Sequence, residues 1–277
     1  MIKEFILFFI YSILIVLISK YVLIKILRNI AENLKLKPKI VGNIAGFTTS
    51  IPELLTVSFS AVTGLLDTAI FNVISSNIIN LIQYITTIVI NKNQRKLRNK
   101  AIKIDLLLVI VTIIIPIIIF FLNIQINTIY ILLFIILFYI FNKISKNAHK
   151  LYIEKDINDI ERINKKRNRE YSKKDLFINI VILILSAIGL YFIGNLLGNT
   201  LEILCEKLNV PEFIVGILLG MITSIPEFIT FFESQKHHKD KTSHEGIIEA
   251  TSNLLFSNMM NLFIIQSVGI ILFLIFA

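Results

Sequence analysis

Long apolar runs dominate this sequence and restrict the folds that it can adopt. Eight runs are about 18 residues or longer, which is the length at which an α-helix can cross the hydrocarbon core of a bilayer. They lie near residues 5–27, 40–62, 68–90, 104–122, 128–145, 176–197, 211–232 and 248–276. Hydrophobic residues make up 55% of the chain, more than in a typical soluble domain. We therefore predict an all-α integral membrane protein with about eight transmembrane helices.

Basic residues are concentrated in alternate loops: in the three near residues 91–103, 146–174 and 234–245, and at Lys35, Lys37 and Lys39 between the first two spans. The other set of loops holds almost none. This alternation follows the positive-inside rule. It predicts a multi-pass protein of the cell membrane in which these three loops are cytoplasmic and both termini lie outside. The net charge of +9 then reflects membrane topology, so we expect no nucleic acid partner. All four histidines fall in the predicted cytoplasmic loops, which argues against a histidine metal site within the membrane.

The pentapeptide Thr-Ser-Ile-Pro-Glu occurs twice, at residues 49–53 and 223–227, each time within an apolar run. In both cases the next run carries the pattern Asn-x-x-x-Ser-Asn-x-x-Asn, at nearly the same offset. Each helix and its counterpart are offset by five spans, an odd number, so the second copy enters the membrane in the opposite direction. The sequence thus predicts inverted-topology repeats, an arrangement typical of secondary transporters.

The predicted domains follow from this repeat. Residues 1–145 form a first half with five helices, which contains the repeated segment 40–83. Residues 146–174 form a charged cytoplasmic loop. Residues 175–277 form a second half with three helices, which contains the repeated segment 214–264.

Two acidic residues, Glu53 and Glu227, lie well inside the predicted spans. A charged side chain at the bilayer centre costs about 2.5–3.5 kcal/mol on insertion scales, so the repetition of this feature indicates a function. The adjacent Pro52 and Pro226 disrupt helical hydrogen bonding and free backbone carbonyl oxygens. A bound cation would satisfy these oxygens; the alternative is a simple packing kink.

Polar residues at helical spacing follow each pentapeptide, and each set shares one helix face. The two sets are Asn72, Ser76 and Asn80, and Asn253, Ser257 and Asn261. Together with the glutamates they predict an all-oxygen site, which suits hard ions such as calcium, sodium or magnesium. The alternative is that the polar residues only join helices by hydrogen bonds. Glycine pairs four residues apart, Gly42/Gly46 and Gly216/Gly220, predict close helix contacts before each pentapeptide.

These motifs resemble the two alpha-repeats of the sodium/calcium exchangers, which belong to the calcium/cation antiporter superfamily. The resemblance rests on a Gly-x-x-x-Gly stretch leading into Thr-Ser-Ile-Pro-Glu and on the asparagine–serine pattern in the following helix. It implies a transporter rather than an enzyme, which exports calcium in exchange for sodium by alternating access in the lipid bilayer and needs no cofactor. The metal ligands that it implies are Glu53 and Glu227, the hydroxyls of Ser50, Ser224, Ser76 and Ser257, the backbone carbonyls of Thr49 and Thr223, and Asn80 and Asn261.

The sequence departs from the family pattern in two ways. Many exchangers carry aspartate at the position of Asn261, whereas here both halves have asparagine, so the site holds at most two negative charges. The family usually has ten spans, and the last two are apparently absent here, so a partner helix, a second copy or lipid would cover the eighth span. The alternatives are therefore proton- or potassium-coupled exchange of calcium or another divalent cation, and a degenerate member that does not transport.

Overall fold

The computed structural model describes residues 2–18, 21–22, 25–26, 36–121, 128–152, 173–237 and 245–276. The regular elements within these residues are helices. In chain order they are α1 Ile2–Ile18, α2 Pro38–Thr49, α3 Ile51–Val62, α4 Leu66–Ile90, α5 Lys100–Phe121, α6 Thr128–Tyr152, α7 Lys173–Glu202, α8 Glu212–Thr223, α9 Ile225–His237, α10 Glu245–Met259 and α11 Gln266–Phe276. A 3₁₀ turn at Gln94–Arg98 precedes α5, and π-helical turns at Ile203–Lys207 and Met260–Ile265 extend α7 and join α10 to α11.

Seven helical segments within the described residues are long and apolar enough to cross a membrane. They are Pro38–Val62, Leu66–Ile90, Lys100–Ile119, Ile129–Tyr152, Ile184–Lys207, Glu212–Lys236 and Glu245–Phe276, and they correspond to the second to eighth predicted spans. The first predicted span begins as α1, and part of its continuation lies outside the described residues. The prediction of an all-α, multi-pass membrane protein is confirmed.

Burial in this fold is the reverse of that in a soluble protein. Large apolar side chains on the outer helix faces are exposed, for example Leu107, Leu132 and Leu185 at 61–63%. Many hydroxyl and amide side chains of α3, α4, α9 and α10 are fully buried. Such a surface is favourable only against lipid, while the polar groups must satisfy each other inside.

The end of α6 differs from the prediction. The helix continues to Tyr152, so residues 146–152 are helical, and residues 153–172 of the predicted loop lie outside the described residues. The prediction that His149 lies in a loop is wrong, because it is on α6 and only 6% exposed. Phe141, Ser145 and His149 recur every fourth residue and are all buried, so one face of the helix packs inward over its C-terminal part.

His149 belongs to a buried polar cluster that joins three helices. His149 Nε2 lies 2.6 Å from Oδ2 of Asp105 on α5, and Ser145 Oγ donates a 2.6 Å hydrogen bond to Asp105 Oδ1. Lys39, at the start of α2, donates to Ser145 Oγ at 2.6 Å. This cluster lets the fully buried Asp105 remain hydrogen-bonded where α2, α5 and α6 meet.

The glycine pairs lie where the two halves cross each other. A Cβ atom added to Gly46 of α2 would be 2.7 Å from the backbone oxygen of Asn253 on α10. A Cβ atom added to Gly220 of α8 would be 2.8 Å from the backbone oxygen of Asn72 on α4. Each half therefore packs its glycine helix against the polar helix of the other half. The two crossings match residue for residue, as expected of halves related by a two-fold axis.

Candidate cation site

Both Thr-Ser-Ile-Pro-Glu segments interrupt a membrane-spanning helix at the serine. α2 ends at Thr49, Ser50 has φ −81° and ψ 0°, and α3 begins at Ile51. In the second half α8 ends at Thr223, Ser224 has φ −79° and ψ 0°, and α9 begins at Ile225. Proline is tolerated in the first turn of a helix, where an N–H has no helical partner. Pro52 and Pro226 therefore allow a new helix to begin at this depth.

This interruption places the two glutamates in the first turns of α3 and α9. The N-terminal end of a helix carries a partial positive charge, which favours an ionised carboxylate, and the C-terminal ends of α2 and α8 carry partial negative charge. In discontinuous helices of transporters, such C-terminal ends and freed carbonyls contact the transported cation. Each break thus brings a carboxylate, a hydroxyl and helix-terminal carbonyl groups close together at one position along the membrane-spanning segment.

Glu53 and Glu227 are fully buried and lie close enough to repel each other electrostatically. The Glu53 carboxylate lies beside the side chains of Thr223 and Ser76, and that of Glu227 beside Thr49 and Ser257. Thr49 and Thr223 are equivalent in the two repeats, and so are Ser76 and Ser257. The two glutamates therefore occupy mirrored environments in one shared interior, each completed by residues from both halves.

Polar contacts connect Ser257, Ser50 and Asn80 to Glu227. Ser257 Oγ donates to Glu227 Oε1 at 3.1 Å, lies 3.0 Å from Ser50 Oγ, and accepts from Asn80 Nδ2 at 3.4 Å. Ser76 Oγ donates to Asn72 Oδ1 at 3.3 Å. All ten predicted site residues are buried: Thr49, Ser50, Glu53, Ser76, Asn80, Thr223, Ser224, Glu227, Ser257 and Asn261.

Several buried oxygens of this region have no hydrogen-bond donor. They are both carboxylate oxygens of Glu53, Glu227 Oε2, Thr223 Oγ1, Ser224 Oγ, and the Oδ1 atoms of Asn80, Asn253 and Asn261. Leaving a buried acceptor without a partner costs about 1–3 kcal/mol, and so many in one place call for an explanation. All are hard oxygen ligands of the kind that calcium and sodium prefer. The chemistry of these unpartnered oxygens therefore suits a small hard cation.

The site contains two acidic side chains, and neutral groups supply its other oxygens. Within the described residues, no group of three or more histidine, cysteine, aspartate or glutamate side chains could hold a metal ion.

The sequence analysis missed two threonines of this site. Asn72 Nδ2 donates to Thr56 Oγ1 at 2.6 Å, and Asn253 Nδ2 donates to Thr230 Oγ1 at 2.7 Å. These bonds join α3 to α4 and α9 to α10, one helical turn beyond the glutamates. A signal was present, because each glutamate is followed three residues later by a threonine. The repeated motif is therefore longer than the pentapeptide.

Comparison with known proteins agrees with this architecture. The model of the family described as sodium/calcium exchanger protein matches residues 4–145 and 178–275. No curated protein matches the chain at a significant level. A structure of the sodium–calcium exchanger NCX_Mj, soaked with 100 mM Na⁺ and 10 mM Sr²⁺, shares the fold with a TM-score of 0.53 and 20% identity, over 98% of this chain and 81% of the other. With both repeats matched by the family model, the chain belongs to the sodium/calcium exchanger family.

Proposed function

We propose that this protein is a secondary active antiporter that exports Ca²⁺ in exchange for Na⁺ by alternating access. The observation that supports this most is the group of fully buried oxygens around Glu53 and Glu227 that lack hydrogen-bond donors. A bound cation would offset the cost of burying two carboxylates in the membrane interior. Membership of the exchanger family supports a transported cation as this ligand.

In this proposal the cation lies between the two helix breaks. Glu53 and Glu227 bridge it from opposite halves, and hydroxyl ligands come from the serines at both breaks and on both polar helices. These serines are Ser50, Ser224, Ser76 and Ser257. Thr49 and Thr223 offer backbone carbonyls at the ends of α2 and α8, and Asn80 and Asn261 offer amide oxygens. Ca²⁺ accepts six to eight oxygen ligands, and this set supplies enough.

The charge of the site sets the expected stoichiometry. Two carboxylates balance one Ca²⁺ or two Na⁺, and the neutral Asn80 and Asn261 add no charge. We therefore expect one Ca²⁺ to exchange for two Na⁺ without net movement of charge. A third Na⁺ would be bound without a compensating negative group in a low-dielectric interior.

The resemblance to the sodium/calcium exchangers implies that α1 and α7 slide over the other helices during alternating access. They contact each other and α8 through an apolar cluster, which contains Phe8, Ile15, Leu190, Leu197, Leu201, Val215 and Leu219. Apolar contacts are non-directional, so this pair can slide without breaking the hydrogen bonds of the site. Sliding would open the site to one side of the membrane at a time.

The test is Ca²⁺ uptake into proteoliposomes under an imposed Na⁺ gradient. Uptake should follow the gradient and disappear in Glu53→Gln, which keeps the shape of the side chain and removes its charge. Glu206→Gln is the matched control, because Glu206 is exposed and outside the site. Parallel assays use Mg²⁺ and Mn²⁺ as cargo and K⁺ or proton gradients as the driving force.

Each alternative has its own outcome in these assays. Ca²⁺ uptake that requires a pH gradient and ignores Na⁺ would mean proton coupling. A requirement for K⁺ would mean potassium coupling. Absence of flux for all three divalent cations under every gradient would identify a non-transporting member and reject the proposal.

A further inference from the structure

Asn77 and Asn258 form a reciprocal pair at the contact between α4 and α10. Asn77 Nδ2 donates to the backbone oxygen of Asn258 at 3.2 Å, and Asn258 Nδ2 donates to the backbone oxygen of Asn77 at 3.1 Å. Both side chains are fully buried. The two asparagines are equivalent in the two repeats, so this pair lies on the axis that relates them. Neither is among the predicted ligands.

The same two side chains also accept hydrogen bonds from the amide groups of two proposed ligands. Asn80 Nδ2 donates to Asn258 Oδ1 at 3.2 Å, and Asn261 Nδ2 donates to Asn77 Oδ1 at 3.2 Å. We call these four residues, Asn77, Asn80, Asn258 and Asn261, the asparagine clasp. Its four hydrogen bonds form two matched pairs, one from each half. Within the clasp, Asn80 and Asn261 donate hydrogen bonds through their NH₂ groups. Their Oδ1 atoms remain without a partner.

An asparagine side chain can present either its oxygen or its NH₂ group to a ligand, and only the oxygen can coordinate a cation. We propose that Asn77 and Asn258 are positioning residues that hold Asn261 and Asn80 in the orientation that leaves their oxygens available to the cation. Asn258 acts through Asn80, and Asn77 acts through Asn261. This inference rests on the proposed function, since it assumes that Asn80 and Asn261 are ligands.

The clasp also explains why the site has amides at both positions. An ionised carboxylate at position 261 has no N–H to donate, and it would place an oxygen about where Asn261 Nδ2 now lies, 3.2 Å from the Oδ1 acceptor of Asn77. Two acceptors at this distance repel each other when buried. By the equivalent contact with Asn258 Oδ1, a carboxylate at position 80 is disfavoured too. The clasp thereby limits the site to the two charges of its glutamates.

The test is a double-mutant cycle on Ca²⁺ binding to the full-length protein, measured by isothermal titration calorimetry. Asn258→Leu keeps the approximate shape and removes the amide. We expect it to weaken Ca²⁺ binding about 10- to 100-fold, the range for residues that orient metal ligands. In an Asn80→Ala background, Asn258→Leu should weaken Ca²⁺ binding by less than a further factor of about two, because the amide that Asn258 orients is already absent. Combined with Asn261→Ala, Asn258→Leu should instead keep its full effect, so that the losses of Ca²⁺ affinity caused by the two substitutions multiply.

The control is Tyr84→Phe, which also removes a buried hydrogen bond between α4 and α10, from Tyr84 OH to Thr251 Oγ1 at 2.7 Å. It should lower the melting temperature and leave the Kd for Ca²⁺ within about twofold, because Thr251 is not a proposed ligand. If Asn258→Leu does not fold, Asn258→Ser keeps a polar group at the buried position. The mirrored set, Asn77→Leu with Asn261→Ala, repeats the experiment in the other half.

Two outcomes would overturn the positioning role. One is an unchanged Kd in Asn258→Leu, and the other is a full multiplicative effect in the Asn80→Ala background. If Asn80→Ala itself leaves the Kd unchanged, Asn80 is not a ligand and the inference fails, while Glu53-dependent transport stands. If Glu53→Gln retains transport, the proposed function fails instead.

Discussion

Ser50 and Ser224 occupy equivalent positions in the two repeats but have different hydrogen bonds. Ser50 Oγ donates to the backbone oxygen of Gly46 at 2.9 Å and lies 3.0 Å from Ser257 Oγ. Ser224 Oγ is fully buried and has no hydrogen-bond partner. The two serines are therefore equivalent in the sequence pattern, but their hydroxyls differ in their contribution to protein stability. An unsatisfied buried hydroxyl destabilises the protein by about 1–3 kcal/mol.

This difference predicts opposite effects of two matching substitutions. Ser224→Ala should leave the free energy of unfolding without ions unchanged or raised by about 1 kcal/mol, whereas Ser50→Ala should lower it by about 1 kcal/mol. Ser224→Ala should also reduce the rise in melting temperature that Ca²⁺ produces, because the hydroxyl is a proposed ligand. Thermal unfolding in detergent, with and without Ca²⁺, measures both effects. Equal destabilisation by both variants would contradict this account.

At the residue scale, the sequence draws attention to polar residues that recur in both repeats, and it does not indicate a contact between two single residues far apart in the chain. The ten predicted site residues belong to motifs that occur in both repeats, and all ten are buried; their role as ligands stays a prediction. His149 and Asp105 were not recognised, since nothing near either residue in the chain indicates a contact across 44 positions. Their pairing exists only once α5 and α6 lie side by side.

At the level of helices, the glycine crossings determine how closely the two halves approach. Gly46 faces the backbone of α10, and Gly220 faces that of α4, at distances that leave no room for a side chain. Each crossing lies one turn before a helix break, so any change in helix separation there moves the serine and glutamate of the break.

Gly46→Ala should therefore lower both stability and transport. The added Cβ would lie 2.7 Å from the backbone oxygen of Asn253 and 3.0 Å from the amide nitrogen of Ser257, so α2 must move away from α10. Overpacking of this kind costs about 1–3 kcal/mol. Gly189→Ala on α7 is the matched control, because nothing lies within 4 Å of its added Cβ. It should be neutral or stabilise by up to about 1 kcal/mol.

Denaturant unfolding and Ca²⁺ uptake, measured on both glycine variants, check this prediction. Similar losses in Gly46→Ala and Gly189→Ala would mean that the crossing does not determine the geometry of the site. Gly220→Ala tests the mirrored crossing, where the added Cβ would lie 2.8 Å from the backbone oxygen of Asn72.

For the whole molecule, the distribution of charge predicts the direction of insertion. The loop that contains Gln94 is basic, and the turn that contains Asp67, at the opposite end of α4, is not. Both residues are exposed. Because α4 crosses the membrane between them, they lie on opposite sides, and the positive-inside rule places Gln94 in the cytoplasm.

Cysteine labelling tests this orientation, and the single native cysteine, Cys205, is first replaced by serine. In intact cells a membrane-impermeant maleimide should label Asp67→Cys and not Gln94→Cys. Permeabilised cells should show labelling at both positions. Labelling of Gln94→Cys alone in intact cells would mean that the protein inserts in the opposite direction.

The amino-acid sequence was sufficient for the helical membrane fold, the repeated motif and the residue types of the candidate site. These properties depend on runs of about 20 residues and on short spacings, which are local in the chain. The tertiary structure decided which of the buried oxygens are satisfied and which remain available. The bonds of the asparagine clasp join residues 178 to 184 positions apart, and the difference between Ser50 and Ser224 depends on a neighbour 207 positions away. Such pairings are determined by how α10 packs in three dimensions against α4 and against the break between α2 and α3, which no local pattern specifies.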